Sequence, residues 1–401
     1  MSTLTHVLVV PAEGASPWTR RRMGPLVGER REQRLRWGPL TTAPTWSPDG
    51  SRLYFAGGDQ GTVGVYTAPA AGGEVQAIVT GDRVVDGYSV AGDRLVFLAA
   101  EMLNPGDLYT ASLDGSNESR LTHVNEEFLS GYTLSTPEEV RFESTEGTTV
   151  HGWALKPAGY TEGRTYPLVL EVHGGPHTAY GHAFFHDFQM LAARGYGVLF
   201  TNPRGSTGYG QDFTACIVKQ WGERDYQDVS AAADWAAAQP WVDAERMAIA
   251  GGSYGGFMTT WVAGHTDRFK AAAAQRSCTN WSSFYGTSDI GPWFCEWMVG
   301  GNPWDNPEGY AKHSPITYVP NIRTPFLVVH SEEDHRCPVE QSEQLFVGLR
   351  RYGCETEFIR FPQESHGLTR GGKPKRRIEH MERIASWFDR YLKPGEEAAP
   401  K

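Results

Sequence analysis

The amino-acid sequence predicts a mostly parallel β-sheet covered by helices on both faces, preceded by a partial all-β, propeller-like region of about two blades. Three observations carry that expectation. Short apolar runs alternate with helical patterns through the second half of the chain; a G-x-S-x-G turn joins a strand to a helix at residues 249–256; and strand-like segments before residue 130 recur at a fixed offset.

The alternation sets the sheet. Residues 168–173, 196–201, 246–250, 325–330 and 356–361 read as buried strands, while Asp225 to Gln239 is alanine-rich and Arg376 to Leu392 places Ile378, Met381, Ile384, Trp387 and Phe388 at helical spacing. Strands separated by helices of this length pair in parallel and bury both faces of their sheet. The last helix is therefore expected to pack Ile378, Met381, Ile384, Trp387 and Phe388 into the core.

The N-terminal part repeats. Trp46-Ser47-Pro48-Asp49-Gly50-Ser51-Arg52-Leu53-Tyr54-Phe55 has a degenerate echo in residues 88–97, and Val65-Tyr66-Thr67-Ala68 recurs as Leu108-Tyr109-Thr110-Ala111, offsets of 42 and 43 residues. A four-stranded propeller blade repeats at roughly 40 to 45 residues. Two such units cannot close a propeller, which takes about four to eight blades. The expected organisation is an unassigned segment at 1–35, a partial propeller at 36–130, a catalytic domain at 131–395 and a tail at 396–401.

The turn sets the chemistry. In Ile249-Ala250-Gly251-Gly252-Ser253-Tyr254-Gly255-Gly256 the glycines flanking Ser253 give a crowded backbone room, as a nucleophile elbow requires. The alternative reading, a phosphate-cradling loop, lacks the Lys-Ser/Thr that a P-loop places after its glycines. In α/β hydrolases the triad acid and base follow the nucleophile on loops after later strands. Asp334 stands in the loop after 325–330, and His366 in the loop after 356–361. The other histidines beyond Asp334 fit less well: His335 adjoins the acid, and His380 lies within a helix. Upstream, the strand ending at His173 runs into Gly174-Gly175-Pro176, small residues that let backbone N–H groups approach a substrate oxygen. The oxyanion hole is assigned to the Tyr254 and Gly175 N–H groups, with Gly174 as the alternative; each such donor is worth roughly 2.7–4 kcal/mol in acyl transfer.

His173-Gly174-Gly175-Pro176, the segment Asn202 to Gly210, the Gly-Gly-Ser-Tyr-Gly-Gly elbow, Asp334-His335-Arg336 and Ser365-His366-Gly367 together resemble the prolyl oligopeptidase family of serine peptidases, its acylaminoacyl peptidase branch above all, over about residues 140 to 393. The resemblance implies an α/β-hydrolase domain behind a β-propeller that screens substrates by size. It also implies that Arg336 anchors an acyl or carboxyl oxygen of the substrate, against the plainer reading of a surface residue. It places the pocket for the side chain before the scissile bond in the aromatic segment Ser277 to Gly301, where Trp281 and Phe294 are the candidates; core or interface packing is the alternative for that cluster.

Composition bounds the rest. A formal net charge of −10 over 401 residues argues against nucleic acid as a partner. There is no apolar run near the 18 residues of a membrane span, and the N-terminus lacks a secretory pattern. Five cysteines show no framework spacing, so the cytoplasm is the expected location. Two apparent metal clusters, His173/His177/His182/His186 and His330 with Glu332, Glu333, Asp334 and His335, straddle strand and loop rather than converging, and no metal or cofactor is expected. The resulting expectation is a serine peptidase acting on short peptides through an acyl-enzyme, of acylaminoacyl-peptidase or aminopeptidase type. A carboxypeptidase or esterase with the same triad, and an interaction scaffold with an inactive hydrolase domain, are the rivals. Open propeller edges make a homo-oligomer, or association through those edges, the expected assembly.

Overall fold

The computed structural model describes residues 43–393. The N-terminal segment 1–35 and the tail 396–401 lie outside them. The chain forms two compact units, one ending at Tyr132 and taking in Gly181–Phe184 and Gly208–Gly210, the other beginning at Thr133.

The first unit is a strand-rich sheet of two successive four-stranded meanders. One comprises β1 (Thr45–Trp46), β2 (Arg52–Asp59), β3 (Thr62–Pro69) and β4 (Gln76–Val79); the other comprises β5 (Val84–Ala91), β6 (Arg94–Glu101), β7 (Asn104–Ser112) and β8 (Ser119–Arg120). Neighbours within each are antiparallel, and the two join at a single parallel pair, Val63 with Val84. The sequence repeat reappears as repeated contacts. Arg52 Nε donates to Thr67 Oγ1 at 3.1 Å and Arg94 Nε to Thr110 Oγ1 at 3.2 Å. Phe55 stacks on Tyr66, and Phe97 on Tyr109. Each arginine starts a strand and reaches across to the next, so the repeat encodes register as well as pattern.

The second unit holds an eight-stranded sheet of β9 (Glu138–Glu143), β10 (Thr149–Leu155), β11 (Tyr166–Val172), β12 (Gly197–Asn202), β13 (Val242–Gly252), β14 (Ala271–Gln275), β15 (Phe326–Ser331) and β16 (Thr356–Phe361), in the order β16-β15-β14-β13-β11-β12-β10-β9. β11 to β16 pair in parallel, while β9 and β10 are antiparallel additions. Leu168, Leu170, Met247, Ile249, Ala272, Ala274, Phe326 and Val328 share one core; the alternating residues Val169, Ala248, Ala250, Ala273, Leu327 and Val329 are buried as well. Both faces are therefore covered, which is why these strands read as unbroken apolar runs.

Helix Arg224–Ala237 packs on β11, β12 and β13, the elbow helix Tyr254–His265 on β13 and β14, and helix Pro374–Leu392 on β13, β14 and β15. One core expectation fails here. Ile378 is 59% exposed, because the buried stripe of that last helix is His380, Ile384, Trp387, Phe388 and Leu392. At 100° per residue Ile378 lies 40° from Leu392, at one edge of that stripe, and it precedes His380, the first buried residue after the helix starts at Pro374.

Candidate active site

The elbow is built by close backbone approach. Ser253 takes φ 62°, ψ −119°, between the end of β13 and the first turn of the elbow helix. Its N–H donates to Gln275 O at 3.0 Å, and its carbonyl accepts from Phe257 N–H at 2.9 Å. A side chain at Gly255 would put Cβ 2.0 Å from Val172 O, and one at Gly251 would put it 2.5 Å from the same oxygen. Strand, turn and helix thus cross at distances only glycine allows. This arrangement leaves Ser253 half-buried at the carboxyl edge of the sheet.

Asp334 and His366 meet because β15 and β16 are neighbours. The Glu332 N–H donates to Phe361 O and the Glu333 N–H to Glu364 O, both at 3.0 Å, which laces the two following loops together. Asp334 is buried; its Oδ2 lies 2.7 Å from His366 Nδ1, and its Oδ1 accepts the N–H groups of Arg336 at 3.0 Å and Cys337 at 2.9 Å. Burial alone would raise this carboxyl's pKa. The charge of His366 and hydrogen bonds from His330 and His366 outweigh burial and hold it well below the usual carboxylate range. His366 is pushed down to about 4, by burial first, with Arg276 and Arg370 adding to the effect and Asp334 opposing it. It is therefore neutral, as a general base must be, across the whole range above that value.

The turn Gly174-Gly175-Pro176 lies against the elbow. A Cβ on Gly174 would stand 3.5 Å from Ser253 Cβ, and Gly175 adopts φ +120°. The Tyr254 N–H opens the elbow helix, where no carbonyl within the helix can accept it. Behind the turn, His173 Nε2 is 2.8 Å from Ser206 Oγ, which itself donates to Pro203 O.

Of the pocket candidates, Trp281 is fully buried, with Nε1 donating to His313 O at 2.9 Å and its ring edge-on to Trp221 at 4.8 Å. Phe294 is the half-buried member, packed on both tryptophans. Trp297, exposed, lies 5.4 Å from the ring of His177, just beyond the glycine turn. Arg336 turns its guanidinium to Asp289, with Nε 2.8 Å from Oδ1. Sequence reasoning missed Arg276, which follows β14 directly. Its guanidinium sits where a Cβ on Gly252, next to Ser253 in the chain, would come within 2.6 Å. Its position at the carboxyl end of a central strand was the available signal.

Beneath Tyr254 lies a buried carboxyl with no role in the triad. Asp225 accepts from the Tyr254 hydroxyl at 2.8 Å and is pushed up to about 7, by burial first, with nearby Asp228 adding and the Tyr254 hydrogen bond opposing. A folded pKa raised above the unfolded 3.8 means that the native state holds a proton the unfolded chain lacks between these values, so this group's cost is relieved as pH falls through 7. Asp225→Asn removes that dependence. Its stability relative to the parent is expected to rise with pH, by about 1.4 kcal/mol per pH unit between pH 4.5 and 6.5. Urea unfolding of both proteins across that range measures the difference; parallel curves would show that Asp225 is ionised when folded.

The geometry agrees with known proteins. Residues 182–395 match the prolyl oligopeptidase family. An uncharacterised peptidase of Bacillus subtilis, YuxL, is 44% identical over 358 residues, 88% of this chain and 54% of its own length. Dipeptidyl-peptidase 5 of Porphyromonas gingivalis is 28% identical over 87% of this chain and 51% of its own. The acylaminoacyl peptidase of Pyrococcus horikoshii superposes with a TM-score of 0.81 at 34% identity, covering 87% of this chain and 56% of that one. The chain thus spans about half the length of these relatives, and it is over the part holding the elbow, the acid loop and the base loop that it belongs to the prolyl oligopeptidase family.

Proposed function

We propose that the protein is a serine peptidase that cleaves short peptides through an acyl-enzyme, with acylaminoacyl-peptidase or aminopeptidase action as its mode. The observation that carries this reading is the Asp334–His366 hydrogen bond at 2.7 Å, formed on adjacent loops beside a strained serine elbow. His366 takes the hydroxyl proton of Ser253 as Oγ bonds to the scissile carbonyl carbon; the Tyr254 and Gly175 N–H groups hold the oxyanion. The C–N bond then breaks as His366 returns the proton to the leaving amine, and water releases the acyl group by the same steps reversed. Phe294 and Trp297, backed by Trp281, offer an apolar wall for the residue before the scissile bond, which favours large apolar side chains there. The family likeness to acylaminoacyl and dipeptidyl peptidases supports an exopeptidase; the ester-cleaving and carboxypeptidase readings share the triad.

A panel of N-acetyl-peptide, free-amine p-nitroanilide and activated ester substrates tests this. Peptide turnover is expected to match or exceed ester turnover, and Arg336→Ala is expected to lower kcat/KM on peptides while sparing small esters if the guanidinium grips a substrate oxygen. Because Arg336 is paired with Asp289, an equal loss on both substrate types, reproduced by Asp289→Ala, would make it a support of the acid loop instead. Peptide activity far below ester activity would sink the peptidase reading.

The partial propeller bears on assembly. Leu121, Val124, Phe128 and Tyr132 of the first unit are largely exposed, an apolar surface of the kind that associates. Association into a homo-oligomer is the expected state, measured by light scattering during size exclusion. A stable monomer would contradict it.

A further inference from the structure

His330, near the end of β15, is buried, and the reaction scheme above leaves it unused. Its Nε2 lies 2.7 Å from Cys337 O and 3.3 Å from Asp334 Oδ2; its Nδ1 lies 2.6 Å from Ser342 Oγ, on helix Glu340–Arg351. Two acceptors facing Nε2 assign the ring proton to that nitrogen, which leaves Nδ1 to accept from the Ser342 hydroxyl. The Asp334 carboxylate then has donors on both oxygens. Arg336 and Cys337 N–H groups serve Oδ1, while His366 and His330 share Oδ2.

We propose that His330, oriented by Ser342, is a positioning residue of the reaction, tying the loop of Asp334 back to its strand and steering the carboxylate oxygen that holds His366. The proposal rests on the Ser253, Asp334 and His366 assignment. The loop from 331 to 337 leaves β15 and must return Asp334 to a fixed point under His366. Backbone N–H groups at 336 and 337 pin only Oδ1, and both move with the loop. The bond from His330 to Cys337 O closes the loop on the rigid strand, and its second contact fixes the oxygen that matters. Buried hydrogen-bond chains of this kind act as a unit because each member restricts the next.

The consequence is readable in the pH profile. The charged groups bearing on His366 are Asp334, which favours the imidazolium, and Arg276 and Arg370, which oppose it. Removing His330 changes only the first. With one donor fewer on Oδ2, the carboxylate keeps more of its charge for the imidazolium, so the acid limb of kcat/KM moves to higher pH.

His330→Phe keeps the ring volume without either nitrogen. With active sites counted by fluorophosphonate titration, kcat is expected to fall about 10- to 100-fold with little change in KM, the scale of a displacement of about 1 Å at a reacting group. The acid limb should move upward. His330→Gln, whose amide N–H can reach the same two oxygens, should recover part of the rate, and Ser342→Ala, which loosens the ring without removing its donor to Oδ2, should give a smaller loss and a smaller displacement of the limb in the same direction. A rate loss with the acid limb unmoved, or no loss in either variant, would overturn the proposal. Should His330→Phe not fold, Ser342→Ala decides on the same readout. Full turnover by Ser253→Ala, measured alongside, would overturn the triad assignment itself and is a distinct signature.

Discussion

Ser253→Ala and His366→Ala are each expected to lower kcat/KM on the order of 10⁴- to 10⁶-fold, and the double variant little further, because triad members act as a unit. The carboxylate–imidazole bond and the bonds lacing the two loops have no purpose in catalysis once the nucleophile is gone, and the nucleophile has no base once His366 is gone. Asp334→Asn should cost on the order of 10⁴-fold, since the amide can hold the imidazole in the wrong tautomer. Single-turnover and steady-state rates on one peptide substrate measure all four variants. Losses that multiply in the double variant would contradict a shared mechanism. The elbow adds a companion expectation: Ser253 is held at φ 62°, a region costly for a residue with a side chain, so Ser253→Gly should be dead yet at least as stable as Ser253→Ala.

Arg204→Ala should destabilise the protein by about 3–5 kcal/mol, the cost of leaving one partner of a buried ion pair uncompensated. Arg204 and Asp228 are both buried. The guanidinium places Nη2 2.8 Å from Asp228 Oδ1 and Nε 3.0 Å from Oδ2, and the backbone N–H of Arg204 adds a bond of 2.7 Å to Oδ2. The same side chain reaches Thr145 Oγ1 at 2.8 Å and Glu146 Oε2 at 3.1 Å. Removing it leaves a carboxylate without its cation in the core and frees three segments at once. Thermal unfolding is expected to drop by roughly 4–6 °C at this size. Replacing both partners by leucine should recover only part of the loss, since an apolar pair carries no ion desolvation cost but leaves the Arg204 backbone N–H without its acceptor. A loss below about 1 kcal/mol in Arg204→Ala would show that water reaches the pair. Activity should fall as well, because Ser206 two residues on supports His173 at the head of the turn Gly174-Gly175-Pro176, the proposed oxyanion site.

Ser253, Asp334 and His366 were legible in the chain because each follows an apolar run, and a parallel sheet delivers every strand's carboxyl end to one edge. Topology alone therefore brings together residues up to 113 apart in number. The two-meander repeat was legible for a similar local reason: Arg52 with Thr67 and Arg94 with Thr110 are hairpin neighbours, so sequence spacing and contact coincide. Ile378 was misplaced because a helical period shows that a stripe exists without saying which edge of it the sheet will cover.

The layer behind the triad was not legible at all. His330 read as one ligand of a scattered cluster, Arg204 as part of a family motif, and Asp225 as the start of an alanine-rich helix, yet each is a buried polar group whose partner lies on another element. Trp281, for which pocket wall and core packing both stood open, is fully buried. Such pairings leave no period or spacing, because they are settled only when helices dock on the sheet and every buried polar atom must find a partner there. The sequence by itself determined the fold class, the repeat and the three candidate residues at the strand ends, since those depend on local pattern and chain order. The tertiary structure alone decided which groups hold them in place, because that depends on desolvation, which no residue undergoes until the chain has folded.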